Sequence, residues 1–198
     1  MSPPLVEETP IVPVKDAAKA VAISAQCADE LAAAIVGPVS FSSGGGVPAD
    51  PSFLRVSRRV TKNHRIALIF DEVLCAVQLG LGGKPVSTGE VPDLVTIGKA
   101  VSVGLPLGAF RGSAELMEAD VRLDEGTRRI VQSGKFTENS VSGAAGAAVL
   151  ANLEESDALT RDDHAGERLQ PGLVDIFAER GREAAVAGSA RSSRSTWM

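Results

Sequence analysis

Ala67-Leu68-Ile69-Phe70-Asp71-Glu72-Val73 is the stretch from which the fold can be read. An unbroken apolar run that closes on a carboxylate reads as a buried strand of a parallel sheet, with its carboxyl end opening into a site. Leu94-Val95-Thr96-Ile97-Gly98-Lys99 repeats the pattern and ends on an amine, and Gly104-Leu105-Pro106-Leu107-Gly108-Ala109-Phe110 follows as a further apolar segment. Ligands of open α/β sheets sit beyond the carboxyl ends of the strands, so Asp71 and Lys99 are expected at such a rim. A carboxylate and an amine presented this way suit a cofactor with a protonatable ring nitrogen and an aldehyde, and pyridoxal phosphate has both.

Outward from these strands, Lys15 to Leu31 carries Ala17, Val21, Ala28 and Leu31 at helical spacings and predicts an amphipathic helix. Ala32 to Val39 reads as a short buried strand. Ser42-Ser43-Gly44-Gly45-Gly46 reads as a flexible turn in preference to a phosphate cradle, because no helix start follows at once. Asp50 before Pro51 is an N-cap ahead of a proline in the first helical position. It opens a helix to about Asn63-His64, with Phe53, Leu54, Val56 and Val60 facing inward. Ile66 to Val73, Leu94 to Ile97 and Leu107 to Phe110 are the expected strands, and Gln78 to Asp93 a Gly-containing loop between the first two.

Downstream, Ser113 is placed to cap a short helix through Glu118, and Asp120 to Ile130 is charged and expected at the surface. Val141 to Leu153 predicts a helix of small residues that can pack closely. Asp157 to Arg180 predicts another, broken or kinked at Pro171 by the missing amide and the ring clash. Four prolines in residues 1–14 predict an irregular lead-in, and the Ser/Arg-rich run from Gly188 predicts disorder.

The chain has 198 residues, 44% of them hydrophobic, enough for one domain with a core. A net charge of −5 with mixed signs argues against nucleic acid or an anionic membrane as a partner. Cys27 and Cys75 have no metal-ligand spacing, and Cys75 reads first as a small buried hydrophobe. Neither a secretory leader nor an apolar run of bilayer length is present, so a cytoplasmic location is expected.

From about Leu31 to Leu153 the sequence resembles the central part of a class III pyridoxal-phosphate aminotransferase, nearest the glutamate-1-semialdehyde 2,1-aminomutase branch. The residues that carry the resemblance are the Ala-rich run into Val36 and Pro38, the Gly-rich turn before Val47-Pro48, and the strand end Phe70-Asp71-Glu72-Val73. Pro92-Asp93-Leu94 leading to Gly98-Lys99, Gly104-Leu105-Pro106 with Gly108-Ala109-Phe110, and Ser133-Gly134 through Asn139 follow in order and spacing. The resemblance implies an α/β fold, a fragment of the type I large domain of pyridoxal-phosphate transferases with a mostly parallel sheet flanked by helices. Residues 1–14 would be the lead-in, 15–155 a partial cofactor-binding large domain, 156–187 the helical start of a truncated C-terminal region, and 188–198 a disordered tail.

The same resemblance implies an enzyme, a transferase or isomerase that moves an amino group by way of a lysine Schiff base to pyridoxal phosphate. A homodimer and a small amino-carbonyl or amino-acid substrate go with it. Lys99 would be the catalytic lysine, in a partly desolvated site that keeps its amine unprotonated. Asp71 would pair with the pyridine nitrogen and keep the ring an electron sink. Val73 returns to the Asp71 side of the strand and would pack on one ring face, whereas Glu72 points the other way and makes a local hydrogen bond.

Lys135 stands where the family has a threonine that meets the phosphate of the neighbouring subunit, and Thr137 lies two residues on. A lysine meets a phosphate as a point charge, without a short fixed hydroxyl. Gly37 replaces an acidic residue and Gln78 a common arginine. A non-catalytic remnant or interaction fragment of such an enzyme is the alternative. The magnesium-binding strand of a P-loop ATPase also ends on acids, but the Gly-Lys pairs here are followed by Pro85, Ala100 and Phe136, not by Ser or Thr. No metal site is expected, because His64 and His164 stand apart from each other and from acidic pairs.

Overall fold

A computed structural model describes residues 8–13, 16–40, 46–118 and 134–183. The turn at Ser42 to Gly45, the charged segment Asp120 to Ile130 and the tail from Gly188 lie outside the described residues. Residues 8–13 form no helix or strand, as the prolines lead one to expect.

Four strands form one sheet in the order β1 (Ala33–Val36), β4 (Ala67–Asp71), β5 (Leu94–Ile97), β6 (Ala109–Gly112). β1, β4 and β5 run parallel and β6 is antiparallel to β5. The architecture is α/β with a mostly parallel sheet and flanking helices. The last strand starts two residues later than predicted and runs against its neighbour. Its link from Ile97 is shorter than the dozen or so residues a parallel crossover needs. The chain turns back through Val103 and Gly104, both left-handed, at φ 51° and 85°.

The single strand expected over Ala32 to Val39 is two. Gly37 and Pro38 end β1, since proline has no amide for the ladder. Val39–Ser40 (β2) then pairs antiparallel with Val47–Pro48 (β3). Nor is β1 buried on both faces: exposure alternates along it, and Ile35 is 65% exposed.

Two helices cover one face of the sheet. α1 (Ala17–Gln26) starts where the Asp16 carboxylate accepts from the Lys19 amide at 2.9 Å. α2 (Pro51–Asn63) starts at Asp50, which accepts from the Ser52 amide at 2.7 Å. The expected cap and start are therefore present. Phe53, Leu54, Ser57, Val60 and Thr61 are its buried residues, and Val56 is only half-buried. Thr61 is tolerated inside because its hydroxyl donates to the Ser57 carbonyl at 2.8 Å. The core joins Ala20 of α1, Ala49, Phe53 and Leu54 to Leu68, Phe70 and Val95 of the sheet. Each large apolar side chain so buried contributes about 1.5–3 kcal/mol.

Asp93 ties this layer together. Its Oδ2 accepts from the Leu68 amide at 2.7 Å and from Arg58 Nη1 of α2 at 2.9 Å, and its backbone pairs with Leu68 and Ser113. The loop from Gln78 to Asp93 contains a short helix, α3 (Gly83–Thr88). Cys75 is fully buried, as read.

After β5 a 3₁₀ turn (Lys99–Ser102) leads to β6 and α4 (Ala114–Glu118). α5 (Ser140–Glu155) packs on that turn, and its Gly146 faces Leu107 and the Val101 carbonyl so closely that a β-carbon would collide with Leu107. The small-residue helix predicted there is used as predicted. α6 (Ala158–Glu179) runs on through Pro171, so the expected break does not occur. One proline removes one intrahelical bond, and the turns on both sides of it keep the helix going.

Candidate active site

Parallel strands have a direction, and here β4 and β5 bring their carboxyl ends to the same rim. Asp71 is the last residue of β4 and pairs in register with Thr96 of β5. Gly98 and Lys99 follow directly. Side chains of register partners point to one face, so Asp71 and Thr96 share the face opposite Leu68, Phe70 and Val95. Ile35, Asp71 and Phe110 on that open face are all exposed.

Asp71 is held on one side only. Its Oδ1 accepts from the Val73 amide at 3.1 Å and from Thr96 Oγ1 at 3.1 Å. No described residue donates to Oδ2. Val73 in turn lies against Gly98, where a β-carbon would stand 3.4 Å from Val73 Cγ1 and 3.7 Å from the Leu107 carbonyl. The start of the lysine turn thus sits beside Val73 at van der Waals distance.

Lys99 has φ 49°, a left-handed conformation that a side-chain-bearing residue adopts only when its surroundings enforce it, at a cost of about 1–3 kcal/mol. The enforcement is visible. Ser102 Oγ donates to the Lys99 carbonyl at 2.5 Å, the Val101 amide reaches back to the Gly98 carbonyl, and α5 backs the turn. Strain of this kind gathers at functional sites. The Lys99 side chain itself is exposed, so the desolvation expected of it is not supplied by the residues described.

Asp71, Val73 and Lys99 are therefore brought to one rim. Lys135 and Thr137 are not joined to it by any described interaction. They lie in the exposed turn ahead of α5, where the Thr137 amide donates to the Gly134 carbonyl at 3.2 Å. Glu72 is 1% exposed and points away from Asp71. A side chain at Gly83 would collide with its carboxylate. A cavity of about 520 Å³ lined by Pro85, Val91, Val95, Arg111 and Ser113 holds none of the predicted residues. Among the described residues no group of His, Cys, Asp and Glu could hold a metal ion.

Residues 7–188 match the family model described as aminotransferase class-III. The chain belongs to the class III aminotransferase family. It is 37% identical over 182 residues to the glutamate-1-semialdehyde 2,1-aminomutase of Pyrobaculum arsenaticum, an alignment that covers 92% of this chain and 42% of that protein. A solved omega-transaminase from Sphaerobacter thermophilus superposes with a TM-score of 0.80 at 34% identity, covering 90% of this chain and 40% of the other. A transaminase with PLP bound gives 0.81 at 27% identity, over 91% and 42%. The chain thus spans about two fifths of the length of these relatives.

Two features of the site were not read from the sequence. The Thr96 hydroxyl depends on the register of two strands separated along the chain, for which one sequence has no signal. The left-handed Lys99 has no signal in its residue type, since lysine does not favour positive φ.

Proposed function

We propose that this chain serves pyridoxal-phosphate-dependent transfer or migration of an amino group on a small amino-carbonyl or amino-acid substrate, as an aminotransferase or aminomutase. The observation that carries the reading is the pairing, at adjacent ends of parallel strands, of an anchored carboxylate and a conformationally strained lysine. The groups present fit the ring end of the cofactor. Lys99 would hold its aldehyde carbon, Asp71 its ring nitrogen, and Val73 one face of the ring. Lys135 and Thr137 are assigned to the phosphate, from the neighbouring subunit of a homodimer. Residues 15–155 then form part of the cofactor-binding domain, 156–187 begin a C-terminal region, and the protein works in the cytoplasm. No described helix is long and apolar enough to cross a membrane.

When bound, the cofactor supplies an electron sink for the pair left at a substrate carbon that loses a proton. The chain's own residues do the rest. Asp71 keeps a proton on the ring nitrogen through its negative charge, which is strongest where water is excluded. The Lys99 amine takes a proton from the substrate carbon and returns it at the new position, a transfer that needs Nζ within hydrogen-bond reach of both.

Borohydride treatment of the chain mixed with excess pyridoxal phosphate tests this. The expected result on peptide mapping is a cofactor adduct concentrated on Lys99, lost in Lys99→Ala and still formed in Asp71→Asn. Labelling spread evenly over Lys15, Lys62, Lys84, Lys99 and Lys135 would remove the assignment.

A further inference from the structure

We infer that Thr96 is a positioning residue for Asp71, fixing which carboxylate oxygen faces the ring nitrogen of the cofactor. The inference rests on the cofactor reading above. Asp71 ends its strand and is exposed, so nothing in its own packing prevents rotation about its side-chain bonds. Two donors do. The Val73 amide is a local partner two residues on, and Thr96 Oγ1 reaches across from the neighbouring strand, both at 3.1 Å and both to Oδ1.

With Oδ1 occupied twice, Oδ2 is the oxygen presented at the rim. An N–H of a protonated heteroaromatic ring is a single donor in the ring plane, and one anchored oxygen matches it better than a carboxylate free to spin. Thr96 suits the task because a β-branched side chain in a strand has few rotamers, so its hydroxyl is held in one direction. Its methyl group keeps the strand's packing whether or not the hydroxyl is present, so the two roles can be separated.

Thr96→Val keeps the shape and removes the donor, whereas Thr96→Ser keeps the donor. Amide hydrogen exchange in the chain without cofactor is the first readout. In Thr96→Val the carboxylate keeps one anchor, swings more freely, and leaves the Val73 amide without its acceptor for longer. Exchange at Val73 should quicken by up to about tenfold, the ceiling that complete loss of one hydrogen bond to a charged group would set, and Thr96→Ser should stay close to the parent.

The second readout is the visible circular dichroism of the chain mixed with pyridoxal phosphate, a signal the free achiral cofactor lacks. Its pH profile should move in Thr96→Val towards that of Asp71→Asn, and Thr96→Ser should restore it. Parent-like exchange together with a parent-like pH profile in Thr96→Val would overturn the inference. If the parent chain forms no Lys99 adduct, the functional reading falls. Quickened exchange at Val73 in Thr96→Val would then still uphold the anchoring of Asp71 by Thr96, and unchanged exchange would overturn that as well.

Discussion

The two faces of the central sheet are built from alternate residues of the same strands and have opposite fates. On one face Leu68, Phe70 and Val95 are sealed under α1 and α2. On the other, one position along each strand, Ile35 and Asp71 are exposed and Asp71 bonds to Thr96. The covered face therefore holds the core, and the open face presents Asp71 and Thr96 between Ile35 and Phe110. A one-residue shift in register would exchange the two sets, which is why burial of Phe70 also determines where Asp71 points.

Substitutions on the two faces should differ sharply in effect. Phe70→Ala should have the largest effect, a loss of about 3–5 kcal/mol in urea unfolding, because it empties a fully buried site between the sheet and α2. A loss near zero would mean that the face is not packed as described. A smaller effect, present near neutrality and lost in acid, is expected at the cap of the covering helix. The Ser52 hydroxyl and then the Ser52 amide hold the Asp50 carboxyl below its ordinary value of 3.8.

A depressed folded value contributes stability that is complete above the ordinary value and lost as pH falls through the depressed one. The gap in unfolding midpoint between the parent and Asp50→Ala should therefore be constant near neutrality and narrow as pH drops below 3.8. A gap that persists in strong acid would show that the charge plays no part in the cap. Ile35→Thr, on the open face, should have the smallest effect, within about 0.5 kcal/mol. A loss comparable to that of Phe70→Ala would show that the open face is covered in solution.

Legibility in the sequence follows the range of the physics involved. The start of α2 at Asp50-Pro51 and the close packing of the Val141 to Leu153 helix rest on contacts within a few residues or on residue size. Both were read correctly. The strand end at Asp71 was legible for the same reason. The direction of β6 was not read, although the shortness of its connection contains the answer. Pro171 does not break α6, because the turns on either side of a single proline keep their own hydrogen bonds.

By itself the sequence determined that an acid and a lysine follow two apolar strand runs, and so that both stand at a sheet rim, because apolar runs and the polar residues after them are local properties. Only the tertiary structure decided that Thr96 meets Asp71, that Gly98 lies beside Val73, that Lys99 is left-handed, and that one sheet face is covered while the other is open. Each of these depends on how segments far apart in the chain are placed against one another. Register, close approach and cover are relations between elements, and a relation is not written at either of its ends.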